Sequence, residues 1–139
     1  MQRREFLAST IGLALLATCF SGCGKGAKSK YGVVKFGGRA TYDGKPIPEK
    51  FTLLFTPAEG KQSGSEIGAD GAFYAKYSSA EDGVQKGALK VTVGWDDEVN
   101  GDVPAEFKEF FDTYSTRENA LEINVEKADV KYALEFPKK

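Results

Sequence analysis

A hydrophobic period of two runs through the chain from residue 33 onward and limits it to β architectures. The clearest instance is 89–95, Leu-Lys-Val-Thr-Val-Gly-Trp, in which every odd position is apolar. Successive side chains of a strand point to opposite faces, so such a segment forms a strand with one apolar face. The same alternation predicts further strands at 33–42, 51–56, 65–69, 72–77, 121–126 and 130–136.

Seven strands of this kind can bury their apolar faces by packing as two sheets. The sequence therefore predicts an all-β fold over residues 33–137, a seven-stranded antiparallel Greek-key sandwich with transthyretin- or immunoglobulin-like topology. The turns agree with this, since Asp70-Gly71 lies between two strands and is a strong hairpin signal. With 139 residues, one domain is expected.

One segment departs from the period of two and follows a helical spacing. Its aromatic residues recur at i, i+3, i+4 and i+7, on one face of a helix: Phe107, Phe110, Phe111 and Tyr114. A proline at the start of the segment suits the first position of a helix. We therefore expect one short helix around residues 104–114, lying across an open end of the sandwich. The expected role of its aromatic side chains is to cover the core, in preference to a ligand-binding box.

The first residues have the layout of an export signal, which is predicted to cover residues 1–22. A positive start is followed by the apolar run 6–20, which is shorter than the roughly 20 residues that a membrane-spanning helix needs. Paired arginines before an apolar pair resemble a twin-arginine signal, although two arginines serve the general secretory route equally well. The export-signal residues are Arg3, Arg4, Phe6 and Leu7.

The signal ends at Cys23, which is predicted to carry a lipid. Phe20-Ser21-Gly22-Cys23 resembles the bacterial lipobox, in which small residues precede an invariant cysteine, and Phe20 stands where that motif usually has an aliphatic residue. The resemblance implies that the sulfur of Cys23 accepts a diacylglyceryl group and that Cys23 becomes the mature N-terminus. The alternatives are a free cysteine or a disulfide with Cys19, which would require a retained signal.

Residues 23–32 are predicted to form a lipidated flexible tether, because they are rich in glycine and lysine and lack apolar periodicity. The lysines either face anionic lipid head groups or belong to a plain soluble linker. The expected location is the cell envelope, extracytoplasmic and lipid-anchored to the membrane at the periplasmic or outer-membrane face. Gly24 favours the outer membrane, by resemblance to the sorting rule of double-membrane bacteria.

Charge and composition exclude several classes of function. The chain has 19 basic and 20 acidic residues, a formal net charge of −1, which argues against a nucleic-acid partner. It has no histidine, so Ser–His and Cys–His nucleophile pairs are impossible. No catalytic residue, metal or cofactor is therefore expected, and the protein is predicted not to be an enzyme.

Two features are candidates for a binding site. The first is the acidic segment 96–102, whose carboxylates alternate as at the start of a calcium-binding EF-hand loop. The twelfth position of such a loop should be a glutamate but is Phe107, so a solvated acidic loop is the alternative. The second is the pair Leu54 and Tyr74, which the alternation directs away from the core. An outward aromatic residue is either a stacking platform for a sugar, a contact for a partner or an ordinary exposed residue.

Four motifs, in order along the chain, resemble one known family: Tyr-Asp-Gly-Lys-Pro-Ile at 42–47, Phe-Thr-Leu-Leu-Phe-Thr-Pro at 51–57, Gly-Ala-Asp-Gly-Ala-Phe at 68–73 and Gly-Ala-Leu-Lys-Val-Thr-Val at 87–93. They are similar to the carboxypeptidase regulatory-like (transthyretin-like) domains of small bacterial lipoproteins. The similarity covers about residues 33–136, with a longer, phenylalanine-rich insertion at 107–118. It implies a non-catalytic accessory fold.

The expected function is a lipid-anchored cell-envelope module with a non-catalytic binding or scaffolding role. Its expected partners are the membrane, through the lipid, and an envelope protein, a glycan or a second copy of the chain. The alternative is a metal- or carbohydrate-binding envelope domain that uses the acidic loop 96–102 or the exposed aromatic residues.

Overall fold

The computed structural model of the protein describes residues 32–139. The predicted signal peptide, the lipid-attachment residue and all but the last residue of the tether fall in 1–31, outside the described residues. The assignments of Arg3, Arg4, Phe6, Leu7 and Cys23 therefore stay predictions from sequence.

Within residues 32–139 the chain forms ten strands. In chain order they are β1 (Val33–Val34), β2 (Phe36–Tyr42), β3 (Lys45–Pro46), β4 (Phe51–Pro57), β5 (Ser63–Glu66), β6 (Ala72–Tyr74), β7 (Val84–Gln85), β8 (Gly87–Trp95), β9 (Leu121–Val125) and β10 (Asp129–Phe136). Two helices, α1 (Asp97–Asn100) and α2 (Lys108–Tyr114), lie between β8 and β9. The prediction of a mainly β protein with a short helix near residues 104–114 is confirmed.

The strands form two larger sheets and one small one. In the first, β2 lies between β10 and β3, and β6 also pairs with β2. In the second, the order is β5-β4-β8-β9 and every pairing is antiparallel. Strands β1 and β7 form a two-stranded ribbon. The register of β4 and β8 sets Leu53 opposite Val93, so their odd-numbered apolar residues share one face.

The expectation of an entirely antiparallel fold is wrong for one pair, because β10 runs parallel to β2, with Leu134 opposite Ala40. Strand β9 pairs with β8 in the second sheet, and the short link 126–128 carries the chain across to the first sheet. Strand β10 therefore enters beside β2 in the same direction, instead of folding back on β9.

The expected number of seven strands is also wrong, and three two-residue strands account for the difference. The predicted strand 33–42 divides at Lys35, where β1 leaves to pair with β7 while β2 pairs with β10, β3 and β6. Strand β3 follows a tight turn after β2 and stops at Pro46, because proline has no N–H to donate to a ladder. Strand β7 forms as the partner of β1.

The core is built from apolar residues of both larger sheets. Phe36 on β2 and Phe55 on β4 are fully buried, and their ring centroids are 5.7 Å apart with the rings edge to face. Phe73 on β6 packs against both rings, at 5.7 and 6.0 Å. The predicted alternation is confirmed over residues 51–56 of β4, where Phe51, Leu53 and Phe55 are buried and the even-numbered residues between and after them are partly exposed.

Helix α2, with the 3-10 turn Ala105–Phe107 before it, covers one end of this core. Phe110 is fully buried, and its ring centroid lies 4.8 Å from that of Tyr42, 5.2 Å from Phe136 and 5.6 Å from Phe51. These partners come from both larger sheets, so the helix packs on both at once. The expected role of this segment as core cover is confirmed.

None of the helices in the described part of the chain has the length and apolar character needed to span a bilayer.

Two of the three Asp-Gly pairs in the chain form tight turns with positive φ at both residues. The φ angles are 50° and 78° at Asp43 and Gly44, and 56° and 78° at Asp70 and Gly71. A two-residue turn with positive φ at both positions matches the twist of the strands that it joins. The second of these turns sets β6 beside β5, and the candidate site lies where these two strands meet.

Candidate binding groove

The two larger sheets are joined along one side by backbone hydrogen bonds. Strand β5 pairs with β4 through its inner edge. On its outer edge, the N–H of Gly64 donates to the carbonyl of Lys76 at 3.0 Å, and the N–H of Lys76 donates back at 2.8 Å. Lys76 follows β6, which pairs with β2 of the first sheet. The seam between β5 and β6 therefore connects the second sheet to the first.

Strands β5 and β6 separate between the Gly64–Lys76 bridge and the next pair, Glu66 and Tyr74, and the side chain of Ser65 lies between them. If the antiparallel ladder continued, Tyr74 N–H would donate to the carbonyl of Glu66. It donates instead to the hydroxyl of Ser65 at 3.0 Å, and that hydroxyl donates to the Glu66 carbonyl at 3.0 Å. Ser65 is buried. Its side chain thus satisfies the backbone groups at a point where the seam widens.

The register across the seam arranges the outward side chains in two rows. Residues opposite one another in adjacent strands share a face. One row contains Thr52, Glu66 and Tyr74, and the second contains Leu54, Gly64 and Lys76. These six residues line an open groove of about 740 Å³, called here the seam groove. That volume is within the range of small-molecule sites.

Tyr74 is the aromatic residue of the groove, and its position is fixed by the sheet beneath it. It is 38% exposed, which confirms the prediction that it faces away from the core. It lies opposite Gly37 in β2, and a Cβ added to Gly37 would come within 2.9 Å of the Tyr74 ring. The ring therefore rests on a backbone without a side chain. Leu54, also predicted to face outward, is half-buried in the same groove.

Within residues 32–139, the polar side chains in the two rows of the groove have no hydrogen-bond or salt-bridge partner. Among residues 32–139, neither Glu66 nor Lys76 takes part in a salt bridge, and the side chains of Thr52, Glu66 and Lys76 make no hydrogen bond. The groove thus presents a hydroxyl, a carboxylate and an ammonium group beside an exposed aromatic ring. The two charged groups are of opposite sign and balance.

The acidic segment 96–102 forms a capped helical turn and not an ion-wrapping loop. Asp96 accepts a hydrogen bond from Val99 N–H at 3.3 Å as the N-cap of α1. The indole N–H of Trp95 donates to the carbonyl of Gly101 at 2.7 Å, which holds the end of the segment against β8. Within the described chain, no three Asp, Glu, Cys or His side chains converge as ligands of a metal ion. The geometry therefore does not favour the EF-hand hypothesis.

Sequence reasoning identified Leu54 and Tyr74 but missed Glu66, Lys76 and Thr52. The alternation shows which side of a strand a residue faces, and this was enough for the first two. Thr52, Glu66 and Lys76 come together only because β5 pairs with β4 on one side and with Lys76 on the other. Such pairing between separate segments leaves no local pattern in the sequence. The one sequence signal for this meeting is the Asp70-Gly71 turn. If β5 and β6 pair as a hairpin around that turn, Glu66 and Tyr74 lie close to each other across it.

Comparison of the chain with family models, with curated proteins and with solved structures finds no match in any of the three.

Proposed function

We propose that the protein is a lipid-anchored cell-envelope module with a non-catalytic binding role. In this proposal, residues 1–22 are removed as an export signal and Cys23 carries the lipid. Residues 23–32 then tether the folded domain to the membrane surface, with the seam groove open to the extracytoplasmic space. The partner bound there is an envelope protein or a glycan.

The same proposal assigns the domain to the transthyretin-like Greek-key sandwiches. Support comes from the core, in which Phe36 of one sheet meets Phe55 of the other edge to face. Two sheets whose apolar faces meet in this way have the packing of a sandwich.

The observation that carries the binding role is the make-up of the seam groove. An exposed aromatic ring lies beside three polar side chains that make no hydrogen bond or salt bridge within the described chain. Ligand sites typically combine apolar area with a few polar groups that orient the bound molecule. The non-catalytic part of the proposal is supported by the chain's lack of histidine, the commonest general base.

Replacement of the lipidated cysteine tests the anchor. Cys23→Ala removes the sulfur that accepts the lipid, so the protein is expected to move from the membrane fraction to the soluble fraction of fractionated cells. Cys19→Ala is the matched control, because Cys19 is discarded with the signal, and it should leave the protein in the membrane fraction. Unchanged membrane partition of Cys23→Ala contradicts the anchor.

Capture from envelope extract tests the groove. Immobilised wild-type protein is expected to retain an envelope component that Tyr74→Leu retains much less well. Tyr77→Leu is the matched control, since Tyr77 follows the same strand but does not line the groove. Equal capture by all three proteins contradicts binding at the groove.

A further inference from the structure

The geometry points to a neutral oligosaccharide of hexopyranose units as the ligand of the seam groove, with the Tyr74 ring as its stacking platform. This inference rests on the proposed binding function and names the class of its ligand.

The Tyr74 ring is held in place and still exposed, as a stacking platform must be. The apolar C–H face of a pyranose packs against an aromatic face, and the contact is strongest when the ring is already held in place. Tyr74 meets this condition because its ring lies over Gly37 and its backbone is held by Ser65. An immobilised ring that is still 38% exposed loses little further freedom when a ligand covers it.

The side chains around the ring can hydrogen-bond to the hydroxyl groups of a sugar. A sugar carries many hydroxyl groups, each of which both donates and accepts. The groove offers the carboxylate of Glu66 as an acceptor, the ammonium group of Lys76 as a donor and the hydroxyl of Thr52 as either. Hydrogen bonds to charged groups are the stronger class, and these groups are free to make them within the described chain.

The charges in and beside the groove favour a ligand without negative charge. Glu66 and Lys76 cancel, so the groove itself selects neither anions nor cations. At the end near Thr52 it adjoins a second depression, whose charged residues other than Glu66 are four acids and one lysine: Glu49, Asp96, Asp97, Glu98 and Lys50. Its net negative charge repels a polyanionic chain. A neutral glycan is therefore favoured over an acidic polysaccharide.

The floor of the groove provides a variant that blocks the site without disturbing the fold. A Cβ added to Gly64 would lie 3.6 Å from the Leu53 carbonyl oxygen and 3.7 Å from Leu54 Cδ2, which is ordinary contact distance. Valine is favoured in strands. Gly64→Val therefore fills the floor between Leu54 and Lys76 while β5 keeps its pairing.

Calorimetric titration of the purified full-length protein with defined oligomers tests the inference. The probes are the tetramers of N-acetylglucosamine and of glucose, with an uncharged tetrapeptide as the competing ligand class. Wild type, Tyr74→Phe and the control Tyr77→Leu are expected to bind at least one tetramer equally well. Tyr74→Leu and Gly64→Val should bind it about tenfold more weakly, since an aromatic contact contributes roughly that factor. Because no net charge is involved, added salt should change the affinity little.

Other results overturn the inference in distinguishable ways. Heat from the tetrapeptide that depends on Tyr74, with none from either sugar, contradicts the glycan assignment but supports a binding groove. Sugar binding that Tyr74→Leu and Gly64→Val leave unchanged contradicts the site. Absence of heat from all probes, together with unchanged capture from envelope extract by Tyr74→Leu, contradicts both the glycan assignment and the proposed binding function. Urea unfolding of each variant verifies that it is folded.

Discussion

At the scale of single residues, the parallel pairing of β10 with β2 depends on a position that has no side chain. A Cβ added to Gly38 would lie 1.9 Å from the carbonyl oxygen of Tyr132 and 2.5 Å from its nitrogen. These are backbone atoms, so no rotation of a side chain can relieve the overlap. The close approach occurs where the register of the two strands shifts between Asp129 and Tyr132.

Gly38→Ala is therefore expected to lower the free energy of unfolding by about 1–3 kcal/mol, as overpacking of a tight contact does. Urea unfolding of the described domain measures this. Gly64→Ala is the matched control, because its Cβ would meet only ordinary contacts, and it should change stability little. If Gly38→Ala is as stable as wild type, the backbones do not approach as closely as described.

Two buried tyrosines make stability depend on pH. Burial raises the pKa of Tyr42, and the nearby charge of Glu109 raises it further. Burial also raises the pKa of Tyr114, with a smaller contribution from Tyr42, and the Tyr114 hydroxyl donates a hydrogen bond to the carbonyl of Pro137. The folded state thus binds these protons more tightly than the unfolded chain, in which tyrosine titrates near 10.

Because the pKa values of Tyr42 and Tyr114 are higher in the folded state than in the unfolded chain, alkaline pH lowers the free energy of unfolding. The stabilising contribution is complete below pH about 10 and is lost as the pH rises through the pKa values of the folded state. Urea unfolding at increasing alkaline pH should show stability falling above about pH 10. Tyr114→Phe keeps the ring but removes one titrating hydroxyl, so its stability should fall less steeply. Parallel decline of the variant and the wild type contradicts the assignment.

Some residues of the seam groove can be predicted from the sequence and others cannot. The Asp-Gly turns and the outward position of Tyr74 follow from local rules, namely turn chemistry and the period of two. Glu66 and Lys76 could not be assigned in this way, because their meeting depends on which strands become neighbours. The hydrogen bond between Tyr74 N–H and Ser65 was equally hidden, since a serine in a strand has no pattern that marks it as a bridge.

At the scale of elements, α2 packs against both larger sheets through Phe110. That residue is fully buried among Tyr42, Phe51, Tyr114 and Phe136, whereas its neighbour Phe111 is only half-buried. Helix propensity contributes little to a helix of this length, so its stability comes mainly from the packing of its aromatic face.

Phe110→Ala should therefore cost about 3–5 kcal/mol, the usual range for deleting a buried phenylalanine. Phe111→Ala, on the same helix, should cost distinctly less because more of that ring is in water. Urea unfolding followed by tryptophan fluorescence compares the two. Equal losses would contradict the described orientation of the helix.

Sequence reasoning succeeded for this helix and failed for the direction of β10. A spacing of i, i+3, i+4 and i+7 identifies both a helix and its buried face. The structure has the helix at Lys108–Tyr114 after a 3-10 turn, and three of the four aromatic residues are buried, with Phe111 half-buried. The alternation in β10 predicts a strand and its apolar face but is the same whether the strand runs parallel or antiparallel to its neighbour. Direction depends on the link 126–128, which crosses between sheets, and no local signal encodes that crossing.

At the scale of the whole molecule, the proposal joins a folded domain to an N-terminal segment that directs its location. In that proposal, the predicted tether 23–32 leads directly into the domain that contains β1. Attachment by two or more acyl chains is durable, whereas one chain binds a membrane only marginally. A small domain held in this way meets its ligand at the membrane surface, where a single groove suffices for a binding role.

The central claim, that the protein is a lipid-anchored module, rests on the fate of Cys23. Intact mass spectrometry of the protein purified from its native membrane tests it most directly. The account predicts a chain that starts at Cys23, lacks residues 1–22 and carries the added mass of acyl chains on that cysteine. A chain that retains Met1, or that starts at Cys23 without added acyl mass, would contradict it.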